Sequence, residues 1–322
     1  MRVMNKIFSS LSRLMPASIP HFVLLATLIQ MALGIGALIS WQMTGVIAIV
    51  INFFHYEGAM FFVLAGAAEV YLCYFCWRQF STGESLGTAW RWIVCASIAH
   101  FTGAVLSQIL GIESYLNPLF YAHLANGLRP ILFESIRQFG LIVGGPVQMA
   151  LLARGLWLLL RVYRQSGLFS RLTGSDGFMI TVLSAYTVRE AWQVAILLKA
   201  GKTFTVPEAI LWTSNLLLIV LLIEAICIRR SLLSMGWGLI ARCWAAFAAA
   251  IALTALGDIG IWATWTGFLP WPWSSAVWYV WFLVSGAFAL GPAYQVQAFR
   301  SIVGRKHREY APEQGEAEVQ AA

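Results

Sequence analysis

Eight stretches of this chain, at approximately 21–40, 57–78, 89–110, 132–160, 177–198, 208–228, 239–265 and 273–299, each run for about 20 apolar residues with few or no charges. In hydrocarbon every backbone N–H and C=O must be satisfied within the chain, which leaves helices or closed barrels. Barrel strands would read as about 10-residue alternating segments. These stretches are longer and rich in Leu, Ile, Val, Ala, Phe and Gly without alternation. Only 11% of the 322 residues are charged, against about 25% in a soluble domain, so a globule of this composition would lack the polar surface to cover itself. The expected fold is therefore an all-α integral membrane protein of about eight transmembrane helices. The shorter apolar run "MTGVIAIVINFF" (43–54) reads as an extension of the first helix or an interfacial segment.

Lys and Arg set the orientation of such a bundle. Of 21 basic residues, those in the alternate segments shared with the N-terminus are Arg2, Lys6, Arg13, Arg78, Arg91, Arg154, Arg161, Arg164, Arg171, Arg229, Arg230, Arg242, Arg300, Arg305, Lys306 and Arg308. The opposite side holds Arg129, Arg137, Lys199 and Lys202, and Arg189 lies inside a span. This asymmetry places both termini in the cytoplasm and implies a multi-pass protein of the inner (cytoplasmic) membrane. Trp41 and "WTGFLPWPWSSAVW" (265–278) fit an outer aromatic belt, with Trp90 and Trp92 inside. Residues 1–40 share features with a secretory signal, but the apolar run has the length of a full span and a poor cleavage site. The net charge of +7 is spread in short groups between apolar runs, unlike the clustered basic face of a nucleic-acid binder.

Two stretches share a pattern. "GLIVGGPVQMALLAR" (140–154) and "GAFALGPAYQVQAFR" (286–300) align at an offset of 146, through Gly140/Gly286, Gly145/Gly291, Pro146/Pro292 and Arg154/Arg300. At an offset of 151 the third and seventh spans match at Gly87/Gly238, Arg91/Arg242, Ala99/Ala250 and Ala104/Ala255, and Glu69 corresponds to Glu224 at 155. The chain thus reads as a tandem 4+4 parallel repeat: a basic cytoplasmic segment over 1–20, a first four-helix half over 21–165, a second over 166–303 and a disordered tail over 304–322. An even number of spans per copy gives both halves the same orientation, a known transporter plan. Pro146 and Pro292 each remove a helix hydrogen bond and crowd the carbonyls of Ile142 and Phe288. Kinks of this kind belong against protein or water, where they either open a cavity between the halves or only improve packing. Gly140 and Gly144 supply a G-x-x-x-G face for close helix approach.

Ionisable groups inside spans cost roughly 2.5–3.5 kcal/mol each at the bilayer centre and mark candidate sites. The candidate polar seam comprises Glu69, His100, Ser107, Arg189, Glu190, Asn215 and Asp258. Helical spacing puts His100, Gly103 and Ser107 on one face, continued by Thr254 and Asp258 in the other copy; Ser184, Thr187 and Glu190 form a second stripe. Arg189 is expected to pair with Glu190 or Asp258, and Glu224 to reach the interface beside Arg229 and Arg230. Proton relay, cation binding and headgroup binding compete with a purely register-fixing role. The outer connection "GIESYLNPLFYAHLANGLRP" offers Glu113, Asn117, Tyr121 and His123, with Glu134 and Arg137 one turn apart at the start of the fourth span; it reads as a cap or a binding loop.

No metal site and no cofactor are expected. Haem would require two histidines facing one another, and the second half contains none. Cys73 and Cys76 spell C-x-x-C within a span without a second ligand set, which favours buried structural thiols. No phosphate loop, H-E-x-x-H or G-x-S-x-G appears. The leading expectation is a small-molecule or ion transporter or permease, with the bilayer as its surroundings. The alternatives are a membrane anchor subunit with partner subunits, quinone-linked in one version, and an intramembrane enzyme acting on a lipid or isoprenoid. In outline alone, eight helices in two four-helix halves is similar to the NrfD-type anchors of respiratory oxidoreductases.

Overall fold

The computed structural model describes residues 18–46, 49, 57–81, 83–106, 129–165, 167, 177–201, 206–233, 238–265, 267–269 and 273–309, with side chains described for most of these. Among the described residues every regular element is helical: α1 (Ile19–Thr44), α2 (Gly58–Trp77), α3 (Ser85–Ala104), α4 (Arg129–Ile142), α5 (Gln148–Gln165), α6 (Gly177–Lys199), α7 (Val206–Leu233), α8 (Leu239–Trp265) and α9 (Trp273–Glu309). A π-helical turn, Val143–Val147, joins α4 to α5 into one rod, so the helices form eight rods at the positions of the eight apolar stretches. Among the described residues, four helical stretches are long and apolar enough to cross a membrane: Ile19–Thr44, Gly58–Trp77, Gln138–Gln165 and Leu239–Gly260. Polar residues inside the remaining rods, such as Arg91 and His100 in α3 and the Arg189–Glu190 pair in α6, lower their mean hydropathy.

α1 begins with Pro20 in its first turn, where a missing N–H costs nothing, and ends on Gly45 at φ 69°, whose N–H bonds the Trp41 carbonyl. The helix therefore stops at Thr44 instead of continuing through 43–54; most of the rest of that run lies outside the described residues. Its outer surface is bare of protein, with Phe22 64%, Leu25 58% and Leu33 53% exposed.

The rods pack as a closed ring in the order α2, α3, α4–α5, α7, α8, α9 and back to α2, with α1 attached to α9 and α6 to α7 and α8. Aromatic side chains fill the middle. Trp90 of α3 meets Trp244 and Phe247 of α8 at centroid distances of 5.8 and 6.3 Å, and Phe247 meets Phe288 of α9 at 6.1 Å. α8 is the central rod. Its small residues Ala248, Ala250, Ala252 and Ala255 are each at most 1% exposed, and they admit neighbouring backbones closely. The aligned alanines Ala99, Ala104, Ala250 and Ala255 are all buried, whereas the aligned Arg91 and Arg242 are both exposed at the starts of their helices.

The two proline motifs take different forms. At Pro146 the backbone widens into the π turn, whose i to i+5 pattern offers the Ile142 carbonyl the N–H of Val147. At Pro292 the α-helix runs on, with the Cys76 thiol donating to the Pro292 carbonyl at 3.5 Å. Pro292 is buried and Pro146 half-buried, so both prolines face protein at least in part. The surrounding glycines also differ in partner. A Cβ on Gly103 would strike the Gly144 backbone, and one on Gly144 would lie 2.9 Å from the Gly103 Cα, so α3 crosses the π turn backbone to backbone. Gly286 instead accommodates Thr27 of α1, and Gly291 accommodates the Phe247 ring.

This crossing generates a test. Gly103→Val should lower unfolding stability in detergent by about 3 kcal/mol or prevent folding, because neither backbone can retreat. Gly36→Ala, where a Cβ meets nothing within 4 Å, should be neutral or stabilising by up to about 1 kcal/mol. Thermal unfolding of the two variants beside the parent checks both signs.

Candidate functional site

Polar side chains gather at two places, one among the ring helices and one where α6 meets α7 and α8. The first spans α2, α3 and α9. His100 is buried, and its Nδ1 lies 2.9 Å from Glu69 Oε2; the two side chains are 8% and 4% exposed. The Ser285 hydroxyl, fully buried, stands 3.5 Å from His100 Nε2. Phe62 and Phe288 pack edge-on against the imidazole at 5.3 and 5.6 Å. Apolar rings thus shut this network off from water, so each charge in it depends on its neighbour. Below Glu69, Ser97 bonds both the Cys73 sulfur at 3.2 Å and the Ile93 carbonyl at 3.0 Å.

Serine, histidine and glutamate here stand in the order of a hydrolase triad. Ser285 nevertheless lies in the interior of a continuous α-helix, with no exposed surface. The neighbouring backbone N–H groups are committed to helix hydrogen bonds and are not free to receive an oxyanion. The arrangement suits holding and passing a proton better than nucleophilic attack.

The second cluster joins α6, α7 and α8. Arg189 Nη1 lies 3.1 Å from Glu190 Oε1, and Asn215 donates from Nδ2 to Glu190 Oε2 at 2.8 Å. Tyr186, fully buried, donates its hydroxyl to Asp258 Oδ2 at 3.2 Å. The Arg189 guanidinium carbon sits 5.2 Å from the Tyr186 ring centroid, within cation–π range.

Within the ring lies a void of about 10 Å³, room for about one water. Gln148, Met149 and Leu152 of α5 line it, with Leu218 and Leu221 of α7, Ile251 and Thr254 of α8, and Phe288 of α9. Gln148 is the residue that leaves the π turn, and it is buried.

The proposed seam is thus divided. Glu69 and His100 come together; Arg189, Glu190 and Asn215 come together; Asp258 joins the second group through Tyr186 and not the face of His100. Arg189 takes Glu190 as its partner. Ser184 and Thr187 are exposed, so the stripe expected to include Glu190 does not turn inward; the Thr187 hydroxyl bonds its own helix at Leu183. Glu224 departs from expectation as well. It is buried at 6% exposure, and its Oε2 has no hydrogen-bond partner, so it does not reach out to an interface. Ser107, Glu113, Asn117, Tyr121 and His123 lie outside the described residues, as do the side chains of Glu134 and Arg137, which belong to α4.

Three participants escaped the sequence reading: Ser285, Tyr186 and Gln148. A lone hydroxyl or amide in an apolar run is a weak signal, although Tyr186 stands one turn before Glu190 and Gln148 two residues after the matched proline. Cys73, Cys76 and Cys243 are free and buried, and no group of three His, Cys, Asp or Glu among the described residues has metal-binding geometry.

A double-mutant cycle tests the first cluster. His100→Ala should cost about 3–5 kcal/mol by leaving the Glu69 carboxylate buried alone. Adding Glu69→Leu should restore part of that loss, giving a coupling energy of about 0.5–3 kcal/mol by detergent unfolding. Strict additivity would mean the two groups do not interact. No protein-family model, curated protein or solved structure matches this chain.

Proposed function

We propose that the chain is an integral protein of the inner (cytoplasmic) membrane with both termini cytoplasmic. In this reading it is a 4+4 parallel repeat that works as a transporter or permease for a small molecule or ion. The packing pattern supports the repeat. α2 against α3 corresponds to α7 against α8, α3 against α4–α5 corresponds to α8 against α9, and α2 against α9 corresponds to α7 against α5. Exchanging the two halves therefore maps the ring onto itself.

The observation that carries the transport reading is the void where the proposed halves meet, in a bundle that also holds two clusters of ionisable groups in its spans. Its lining combines Gln148, Met149 and Leu152 of the first proposed half with residues of the second. Glu69 and His100 in one cluster, and Arg189, Glu190 and Asp258 in the other, are expensive to keep in an apolar bundle. A bundle that only anchored itself would gain as much from apolar packing. Alternating access would open the void by moving one half against the other.

Proteoliposomes provide the test. Solute flux driven by a pH gradient or membrane potential should appear, and Glu69→Gln or Asp258→Asn should slow it by about tenfold or more, equivalent to about 1.4 kcal/mol on the barrier. Absence of flux across a wide panel of solutes and ions would sink the reading. Reporter fusions near residues 120 and 200 should both report the outer face; opposite faces would break the parallel repeat.

A further inference from the structure

The void within the ring has a chemical character of its own. Two of the side chains that line it are polar: Gln148, the first residue of α5, and Thr254 of α8. The rest are aliphatic, aromatic or thioether, and among the described residues the lining holds no ionisable group. Phe288 lines the void and also packs edge-on against His100 at 5.6 Å. The imidazole therefore meets that ring and takes no part in the lining, and neither do the acids and the arginine of the two clusters.

Backbone geometry holds both polar residues in place. Gln148 directly follows the π turn Val143–Val147, and its own N–H is committed to the Gly145 and Val143 carbonyls. That turn is itself fixed by the backbone crossing with Gly103 of α3. Thr254 gives its hydroxyl proton to the Ala250 carbonyl at 2.9 Å, which fixes its rotamer and leaves the oxygen as an acceptor. A primary amide carries two N–H donors and a carbonyl. The void thus offers donors from one rod and an acceptor from another on an otherwise apolar wall, the usual make-up of a small-molecule site.

Charge decides what fits. A dehydrated hard cation takes about six oxygen ligands, and the described lining offers one amide carbonyl and one hydroxyl. An anion would meet that amide and no positive charge. An uncharged molecule with a donor and an acceptor of its own is matched on both counts.

We propose that this void is a binding site for a small uncharged hydrogen-bonding molecule, with Gln148 and Thr254 as its polar contacts. At a volume of about 10 Å³ the occupant is a single water, accepting from the Gln148 amide and donating to the Thr254 oxygen. On the transport reading, on which this further step rests, the same two residues receive the carried solute. That solute is then neutral, whatever ion drives it.

The water site is tested without transport. X-ray radiolysis turns a bound water into hydroxyl radicals that oxidise the side chains beside it. In the full chain in lipid nanodiscs, mapped by peptide mass spectrometry, Met149 in the void wall should be oxidised faster than Met31, which is 38% exposed midway along α1. Gln148→Leu should slow Met149 oxidation by about tenfold, the occupancy lost with one buried hydrogen bond. Thr254→Val should act in the same direction and serves where Gln148→Leu fails to fold. Met149 oxidised no faster than Met31, or at the parental rate in both variants, overturns the site. Proteoliposomes then test the solute with water, urea and glycerol against labelled sodium, potassium and chloride. Flux should appear for an uncharged probe and fall by about tenfold in Gln148→Leu, for the same lost hydrogen bond. Flux of ions alone overturns the neutral solute and leaves the transport reading standing. Rapid Met149 oxidation without flux of any solute or ion overturns the transport reading and leaves the water site standing.

Discussion

A charged or hydrogen-bonding side chain inside an apolar bundle must be answered by another side chain, and this requirement orders the whole molecule. Water is not at hand to compensate, so each unpaired group would cost several kcal/mol. Glu69 draws α2 to His100 on α3, and Ser285 adds α9 to the same point. Glu190 and Asp258 draw α7 and α8 to α6 in the same way. α6 shows the effect most clearly. Its outer side leaves Phe178, Val188, Trp192 and Leu198 each at least 60% exposed, so its attachment depends heavily on the buried polar residues it carries.

Close approach supplies the complementary constraint. Polar partners on different helices meet only where the backbones come near, and small residues permit that. Gly103 lies one turn beyond His100, and its crossing with Gly144 brings α3 against the π turn. That turn in its place aims Gln148 at the central void. The proline, the glycine pair and the buried amide thus act together. A side chain on either glycine would push α3 away from the α4–α5 rod.

In the proposed repeat, the two halves are more alike in packing than in chemistry. Within the ring, rods at matching positions have matching neighbours and aligned alanines are buried alike, whereas α1 packs on α9 and α6 on α7 and α8. The polar residues diverge. Glu69 has His100, whereas its counterpart Glu224 lies in a half that carries Ile251 at the position aligned with His100, and one of its oxygens is unpartnered. The second half instead places Arg189, Glu190 and Asp258 in a cluster of its own.

Helix positions were legible in the sequence because apolar length is a local property: eight stretches of about 20 residues became eight rods. The G-x-x-x-G face was legible for the same reason. The inventory of buried charges was also readable, since an ionisable residue within such a stretch has few places to go. Which charges pair is another matter. His100 to Glu69 spans 31 residues and Ser285 to His100 spans 185, and no periodicity along one helix encodes the rotation of another. The same holds for Ser184 and Thr187, whose spacing matched Glu190 but whose hydroxyls bond their own helix or face outward, and for Glu224, which neighbouring arginines seemed to claim. Local sequence determines where the helices run and what each carries; only the tertiary packing, through the relative rotation and depth of rods, decides which of those side chains meet.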